Sequence, residues 1–266
     1  MSLLVDVQQA AAVLRDACQQ ILTADVTASL TFSEKADGSL LTEIDLRLQQ
    51  TIIESLQQHW PDVPVMAEEM SAQEHQAFIS QTEAYWCLDP IDGTTNLAHG
   101  LPYYAVSLAL MQNGVCELGV VYDPSRDDSF SATRGGGAFL NQQYRLQCRQ
   151  DELTLANSIA MIDFKRLSTA QATLLATQPR YRSQRSLGSV ALDWCWLAMN
   201  RGQVYIHGKQ KLWDYGAGVL IFTEAGGIAS QINGEPISFS PQTPGSALAA
   251  VNASLYKEWQ AYLESA

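Results

Sequence analysis

Two segments near the start of the chain carry apolar residues at helical spacing. The first spans residues 5–22, where one i, i+4 row holds Val13, Ala17 and Ile21. A second helix is predicted from Thr42, which can cap it, because Asp45 follows three residues later. Its apolar residues recur every four positions until Pro61 ends the pattern, and they are Ile44, Leu48, Ile52 and Leu56.

Two short apolar runs that end in acidic residues come next. Residues 63–67 and 85–88 each predict a strand. Glu68 and Glu69 follow the first run, and Asp89 follows the second. Carboxylates at strand ends are well placed to converge on one site.

The middle of the chain predicts an antiparallel sheet. Residues 104–111 and 115–122 are rich in β-forming residues and are joined through Asn113-Gly114, the strongest short signal for a hairpin. Residues 129–133 and 138–140 extend the same sheet on either side of a glycine-rich turn. This part of the chain therefore pairs neighbouring strands rather than strands separated by helices.

The remainder mixes helices and strands. The predicted elements are a strand over 157–162, a strand over 203–207, and helices over 168–177, 189–200 and 214–225. Together with the antiparallel hairpins, this mixture favours a layered α+β architecture over a doubly wound parallel sheet. We place a division near residue 150, which gives an N-terminal half of residues 1–150 and a C-terminal half of residues 151–266.

Composition limits the classes of function. The chain has 266 residues, 47% of them hydrophobic, and a formal net charge of -12. Such an acidic balance argues against a nucleic-acid partner, which requires clustered Lys and Arg. We find no apolar run near the roughly 20 residues that span a bilayer, and no signal-peptide pattern. We therefore expect a soluble, cytoplasmic protein that does not act at a membrane.

The Cys and His residues give little support to a zinc site or a disulfide framework. Five cysteines are scattered without a C-x-x-C pair, and the four histidines are also dispersed. We expect reduced thiols that pack as small apolar groups. A bound metal would then be a hard cation held by oxygen atoms.

The segment from Asp89 to Asn96, which reads Asp-Pro-Ile-Asp-Gly-Thr-Thr-Asn, is the strongest candidate for chemistry. Pro90 disfavours a helix here, so Asp89 and Asp92 are expected on a tight turn beside two hydroxyl groups. Gly93 allows backbone N–H groups to approach an anion closely. The turn can therefore present oxygen atoms to cations and amides to a phosphate.

Each acidic residue also has an ordinary structural explanation. Asp45 fits a helix cap, and Asp214 fits the N-cap of the helix that follows Trp213. Glu68 and Glu69 fit a solvated pair, and Asp89 fits the start of a turn before a proline. Taken singly, these explanations are the better ones, and only the joint pattern favours a shared site.

The joint pattern resembles the inositol monophosphatase family of magnesium-dependent, lithium-sensitive phosphomonoesterases. The similar segments follow the family's order over nearly the whole chain: Lys35-x-Asp-Gly-Ser39, Thr42-x-x-Asp45, Glu68-Glu69, Asp89 to Asn96, Gly135 to Asn141, Arg185-Ser-x-Gly-Ser189, Trp213-Asp214 and Glu224-Ala-Gly-Gly227. The resemblance implies a layered α/β/α/β/α fold of the sugar-phosphatase type, a homodimer, and hydrolysis of a small phosphate monoester.

The resemblance also implies two Mg²⁺ sites. Glu68, Asp89 and the carbonyl of Ile91 would share one ion, and Asp89, Asp92 and Asp214 would hold a second. Two divalent cations can stabilise both the attacking and the leaving oxygen atoms of an in-line displacement. Magnesium suits this set because it prefers carboxylate, water and phosphate oxygen atoms.

Roles for the remaining site residues come from the same resemblance. Asp45 and Thr94 match the pair that orients the nucleophilic water, with Asp45 as proton acceptor, and Glu68 belongs to the same catalytic group. Backbone N–H groups of Gly93 and Thr94 would meet phosphate oxygen atoms. The expected substrate contacts are Ile91, Asp92, Gly93, Thr94, Gly188, Ser189, His207 and Asp214. Helix capping explains Ser189 equally well.

The chain departs from the family pattern at His207, where inositol-specific members usually carry a Glu that binds sugar hydroxyls. The next residues, Gly208-Lys-Gln-Lys211, add cationic side chains near the same position. They fit either a substrate with a further carboxylate or phosphate or a solvated loop. Inositol phosphate is therefore in doubt as the substrate.

Several functions remain open within this resemblance. The alternatives to an inositol monophosphatase are a sugar bisphosphatase, a histidinol-phosphate phosphatase and a nucleotide 3'-phosphatase, and Ile91 and Thr95-Asn96 argue against the last. A non-enzymatic interaction protein is a further alternative, since some bacterial members of the family bind transcription machinery. The joint presence of the acidic residues with Thr94 favours an active enzyme.

Overall fold

The computed structural model describes residues 5–22, 32–34, 40–79, 83–240 and 242–264. The segment Lys35 to Ser39, part of the family resemblance, lies outside these residues. The described helices are α1 (Val7–Ile21), α2 (Glu43–His59), α3 (Ala72–Ile79), α4 (Thr94–Ala98), α5 (Thr169–Thr177), α6 (Val190–Ala198), α7 (Leu212–Glu224) and α8 (Ala253–Leu263). Two 3₁₀ turns cover Leu155–Asn157 and Phe164–Arg166.

The first two predicted helices form with the caps that the sequence provides. The side chain of Asp6 accepts a hydrogen bond from Gln8 N at 2.8 Å and caps α1. At the start of α2, Thr42 and Asp45 form the predicted reciprocal capping box. The apolar rows of both helices are buried, which confirms their predicted inner faces.

The strands are β1 (Phe32–Glu34), β2 (Leu40–Thr42), β3 (Val65–Ala67), β4 (Ala84–Asp92), β5 (Ala105–Gln112), β6 (Val115–Asp123), β7 (Asp128–Thr133), β8 (Gly137–Leu140), β9 (Tyr144–Leu146), β10 (Ile159–Asp163), β11 (Ser183–Arg185), β12 (Val204–Gln210), β13 (Ile228–Ser230) and β14 (Gly245–Ala250). β3 to β9 form one sheet in sequence order, in which β3 and β4 are parallel and the other neighbours antiparallel. The predicted hairpin is confirmed, because Asn113 (φ 51°) and Gly114 (φ 75°) turn β5 into β6.

A second sheet of five strands has the order β11-β10-β12-β14-β13. β10 is parallel to both β11 and β12, while β14 is antiparallel to β12 and β13. Because neighbouring parallel strands end at the same edge, residues that follow β10 and residues near the end of β12 lie close together. Asp163 pairs in register with His207 at this edge.

Five layers result from how the helices cover the two sheets. α1 and α2 pack on one face of the seven-stranded sheet. α6 and α7 lie between this sheet and the five-stranded one, and α5 and α8 cover the outer face of the second sheet. The central contacts are tight: a Cβ atom on Gly119 would lie 2.8 Å from Ala217 Cα, and one on Gly218 would lie 2.7 Å from Trp194 Cβ. The predicted layered α/β/α/β/α fold of α+β class is confirmed.

Some boundaries and elements differ from the sequence-based expectations. α7 begins at Leu212, so Asp214 occupies the third helical position and accepts a hydrogen bond from Lys211 N at 3.0 Å; its assignment as an N-cap is wrong. The prediction lacks α3, α8, β1, β2, β9, β11, β13 and β14. β14 reads Gly-Ser-Ala-Leu-Ala-Ala, a sequence with little strand propensity that is a strand because its neighbours pair with it.

Three further expectations concern the whole chain. All five cysteines are buried and free, in agreement with reduced thiols. None of the helices in the described ranges has both the length and the apolar character that a membrane span requires. The division at residue 150 stays a prediction.

Candidate active site

A cleft of about 580 Å³ opens where β3 and β4 end. Because these strands are parallel, Ala67 pairs with Leu88, and Glu68 N donates a hydrogen bond to the carbonyl of Leu88 at 3.0 Å. Glu68 and Asp89 therefore leave the sheet side by side. Both line the cleft, as the positions at strand ends predicted.

A break in the pairing of β4 turns two carboxylates towards the cleft. Asp89 pairs with Ser107, whereas Asp92 pairs with Ala105, so one extra residue is accommodated beside Pro90. The carboxylate of Asp89 accepts a hydrogen bond from Ile91 N at 2.9 Å, which fixes the turn. Asp89 and Asp92 are both buried and both line the cleft.

The first turn of α7 brings a third carboxylate to the same place. One oxygen atom from each of Asp89, Asp92 and Asp214 lies within 4.8 Å of the others. Together with Glu68, these residues form the surface that we call the carboxylate floor. The sequence predicted this convergence, although the three aspartates are separated by as many as 125 positions, 89 to 214.

Burial and mutual repulsion raise the pKa values of the three aspartates on the floor. Burial raises the pKa of Asp89 and of Asp214 well above the ordinary value, and the neighbouring carboxylates raise them further. Burial also raises the pKa of Asp92 to about 7, although hydrogen bonds from Ser189 Oγ at 2.7 Å and Ala191 N at 2.6 Å act in the opposite direction. The atoms of the floor that could ligate a metal ion are all carboxylate oxygen atoms, and this ligand set fits Mg²⁺.

Asp45 and Thr94 meet beside the floor. Thr94 Oγ1 donates to Asp45 Oδ1 at 2.9 Å and also lies 3.0 Å from the carbonyl oxygen of Ile91. The other oxygen atom of Asp45 accepts from Thr42 N at 2.9 Å and from the hydroxyl of Thr42. Asp45 therefore caps α2 and binds Thr94 at the same time, so its two predicted roles are compatible.

Two glycines allow the first half of the chain to meet the second at this point. Gly93 (φ 101°) and Gly188 (φ 86°) both have left-handed backbone conformations, and a Cβ atom on Gly93 would lie 3.2 Å from Gly188 O. The side-chain amide of Asn96 joins the two segments, because it donates to Leu187 O at 2.8 Å and to Tyr103 O at 2.7 Å. The substitution of either glycine would disturb the cleft.

The structure places all but one of the predicted substrate contacts in the cleft. Ile91, Asp92, Gly93, Thr94, Gly188, His207 and Asp214 line the cleft. Ser189 does not, since its hydroxyl is buried, donates to Asp92 and accepts from Leu192 N at 3.3 Å as the cap of α6. Ser189 thus positions a floor carboxylate, and the capping explanation for this residue is the one that the geometry supports.

His207 lines the cleft, but both of its ring nitrogen atoms are engaged by protein groups. Nδ1 lies 3.2 Å from Lys209 N, and a backbone N–H can only donate, so Nδ1 is the acceptor. Nε2 then carries the hydrogen and donates to Asp163 Oδ2 at 3.0 Å. Burial is the largest influence on the pKa of Asp163 and acts to raise it, but the interactions with His207, the hydrogen bond from Lys165 N and the charge of Arg166 together lower that pKa.

Basic side chains border the cleft on the side of His207. We call Arg166, Lys209 and Lys211, which all line the cleft, the cationic rim. Lys211 Nζ lies 5.6 Å from the ring centroid of Trp213. Arg166 comes from the 3₁₀ turn after β10, while Lys209 lies on β12.

Sequence reasoning missed Asp163 and Arg166 as residues of the site. The available signal was their position directly after a predicted strand, where Asp163-Phe-Lys-Arg166 supplies three charged residues. Their partner His207 is 44 positions away from Asp163, and only the parallel pairing of β10 with β12 brings the two together.

Comparisons with known proteins agree with this geometry. The sequence profile of the Inositol monophosphatase family matches residues 3–265. A relative named Nus factor SuhB, from Pasteurella multocida, is 36% identical over 206 residues, which are 75% of this chain and 74% of the relative. The inositol-1-monophosphatase of Bacillus subtilis is 31% identical over 223 residues, with 82% of each chain covered.

The fold also matches that of a solved structure. The solved structure of an IMPase from Thermotoga maritima matches with a TM-score of 0.82 at 26% identity and covers 97% of this chain and 96% of that chain. The profile match extends over nearly the whole sequence and includes every residue of the carboxylate floor. The chain therefore belongs to the inositol monophosphatase family.

Proposed function

We propose that the protein is a magnesium-dependent phosphatase that hydrolyses a small phosphate monoester. The observation that carries the proposal is the approach of Asp89, Asp92 and Asp214, whose oxygen atoms lie within 4.8 Å of one another, beside the Thr94–Asp45 pair. Family membership supports phosphatase activity, while the dependence on magnesium and the exact ester belong to the proposal.

The carboxylate floor would hold the metal ions. Glu68, Asp89 and the Ile91 carbonyl are the ligands for one Mg²⁺, and Asp89, Asp92 and Asp214 are those for another. When bound, Mg²⁺ lowers the pKa of water and stabilises the negative charge of the phosphoryl group in transfer. The raised pKa values support this role, because buried carboxylates that repel one another are stabilised by a cation.

Thr94 and Asp45 orient the attacking water. The hydroxyl of Thr94 donates to Asp45 Oδ1, so the lone pairs of Thr94 Oγ1 can accept a hydrogen bond from water. As the water oxygen bonds to phosphorus, the bond between phosphorus and the ester oxygen breaks, and the departing alkoxide takes a proton from solvent. The proton of the attacking water passes to Thr94 Oγ1, the Thr94 proton passes to Asp45 Oδ1, and Asp45 later releases it to solvent. The hydrogen bonds from Thr42 hold the acceptor in place.

The segment 93–95 positions the phosphoryl group. Gly93, Thr94 and Thr95 line the cleft at the start of α4, where the first N–H groups of a helix have no partner within the helix. Such N–H groups stabilise the negative charge on phosphate oxygen atoms. Gly188 borders the same space, and a Cβ atom there would lie 3.2 Å from Asn96 Nδ2, so a side chain would disturb the amide that joins the two segments.

A second candidate is an interaction role like that of a Nus factor, supported by the name of the relative from Pasteurella multocida. The two functions are separable, because partner binding does not require an intact carboxylate floor.

The resemblance to the family also implies a homodimer, which sedimentation of the purified protein would test.

The test is the release of inorganic phosphate with and without Mg²⁺. The panel contains inositol 1-phosphate, a sugar bisphosphate, histidinol phosphate and adenosine 3',5'-bisphosphate. The proposal expects magnesium-dependent release from at least one ester, abolished in Asp89→Asn. The absence of release from all of them would instead favour the interaction role.

A further inference from the structure

The cationic rim contains positively charged side chains that have no role in the proposed hydrolysis. Lys211 contacts the ring of Trp213 and its backbone binds Asp214, so it supports the floor. Arg166 and Lys209 are exposed at the cleft, and among the residues that the structure describes neither forms an ion pair with a carboxylate. Two exposed cations therefore face a cavity in a chain whose net charge is -12, and the charge of Asp163 acts on Arg166 without a direct ion pair.

Backbone packing holds these two residues side by side. A Cβ atom on Gly208 would lie 1.7 Å from the carbonyl oxygen of Arg166, so the two backbones are in direct contact. The turn that carries Arg166 is fixed further by Asp163, whose carboxylate accepts from Lys165 N at 3.0 Å. The position of Arg166 beside β12 is therefore a property of the fold and not of a mobile side chain alone.

The groups around these cations leave the edge positive. Arg166 and Lys209 contribute two positive charges and Asp163 one negative charge, a local sum of +1. Asp163 is engaged by His207, which is neutral in the hydrogen-bonding arrangement described above. An anion at this edge would therefore meet two cations and a carboxylate that is already bound to a neighbour.

We propose that the substrate carries a second anionic group, a carboxylate or a second phosphate, which Arg166 and Lys209 bind while the carboxylate floor acts on the scissile phosphate. This inference rests on the proposed phosphatase function and specifies its substrate class. Guanidinium and ammonium groups both suit this role, since they bind carboxylate and phosphate oxygen atoms through charge-assisted hydrogen bonds.

The experiment compares esters that differ only in the second group. Gluconate 6-phosphate and glucitol 6-phosphate, both open chains, test a carboxylate, and inositol 1,4-bisphosphate and inositol 1-phosphate test a phosphate. The readout is the ratio of kcat/KM for the anionic ester to that for its neutral counterpart. We expect a ratio of at least ten in one pair, expressed through KM and reduced by added salt.

Three variants then assign the preference to residues. The double variant Arg166→Gln with Lys209→Gln should lower the ratio by at least tenfold and so remove the preference. Asp163→Asn should raise the ratio because the negative charge is lost, while its single amide oxygen atom can still accept one of the two hydrogen bonds, from His207 or from Lys165 N. Lys165→Gln is the matched control, since Lys165 belongs to the same turn but does not line the cleft, and its ratio should equal that of the wild type.

The outcomes separate this inference from the proposed function. Hydrolysis of the esters without a preference in either pair, or an equal loss in Lys165→Gln and in the double variant, would overturn the anionic subsite alone. Failure to hydrolyse any ester would remove the phosphatase function and the subsite with it. A preference confined to one pair identifies the second group as carboxylate or as phosphate.

Discussion

The floor and the rim of the cleft share one cavity but differ in charge, burial and origin. The floor consists of carboxylates at strand and helix ends, with Asp89 only 1% exposed, and its residues match the family pattern. The rim consists of exposed cations beside His207, the position at which the chain departs from that pattern. The difference teaches that chemistry and selectivity are built separately here: the floor suits metal-assisted hydrolysis, and the rim suits the choice of ester.

The largest expected effect comes from a change in the floor. Asp89→Asn removes a proposed ligand of both metal ions and should lower kcat/KM by at least about 10³-fold, of the order seen when a group that acts at the transition state is lost. The folded protein should persist, because a neutral amide is easier to bury than a carboxylate.

Asp123→Asn is the control for that change, because Asp123 is also buried but binds Ser125 N and Arg126 away from the cleft. We expect it to alter thermal stability more than turnover. Equal losses of turnover in the two variants would show that burial of a carboxylate, and not its place on the floor, explains the effect.

The charge of the floor should also govern the pH dependence of stability without metal. The pKa of Asp92 is raised from 3.8 to about 7 by burial, so the unfolded chain loses its proton first as pH rises. The stabilising contribution is complete below about pH 4 and is lost as pH rises through about 7, by at most roughly 4 kcal/mol for this residue.

Urea unfolding in EDTA at pH 5 and pH 8 measures this loss. Asp92→Asn should flatten the dependence, and added Mg²⁺ should restore stability at pH 8. A metal-free protein that is more stable at pH 8 than at pH 5 would contradict the raised pKa of Asp92.

The next effect tests the pair that orients water. Thr94→Ala should lower kcat by about 10²-fold with little change in KM, because the hydroxyl acts on the water and not on the ester. Thr94→Ser retains the hydroxyl and should recover most of the activity. A serine variant as impaired as the alanine variant would indicate that Thr94 matters for packing alone.

The smallest effect concerns the geometry of the rim. Gly208→Ala forces a Cβ atom against the Arg166 carbonyl and should destabilise the fold by roughly 1–3 kcal/mol. It should also weaken the preference for anionic esters. Gly216→Ala is the matched control, since its nearest contacts would be 3.5 Å away within a helix, and its melting temperature should not fall. Equal melting temperatures would contradict the packing argument.

The convergence of the floor carboxylates could be predicted because Glu68 and Asp89 follow predicted strands and because the joint acidic pattern resembles that of a known family. Thr42 and Asp45 mark a helix start, and Asp89 and Asp92 lie on a turn that Pro90 imposes. Each of these signals lies within a few residues of the chemistry that it supports. The layered fold followed from the hairpin at Asn113-Gly114 and from the mixture of helices and strands.

The region around the rim was harder to predict from the sequence, because its residues come together only when distant strands pair in the folded protein. His207 and Asp163 meet only through the register of β10 and β12, and that register has no local signal. The hydroxyl of Ser189 could equally have faced the cleft, and only the approach of Asp92 shows that it does not. The alanine-rich β14 was missed because its strand conformation depends on its neighbours.

The most direct test of the account is phosphate release from gluconate 6-phosphate and glucitol 6-phosphate, and from inositol 1,4-bisphosphate and inositol 1-phosphate, measured with and without Mg²⁺. We expect release that requires the metal and that favours the anionic ester in at least one pair. Release that is independent of added and residual metal, or no release from any of the four, would contradict the assignment of the carboxylate floor as a metal-dependent phosphatase site.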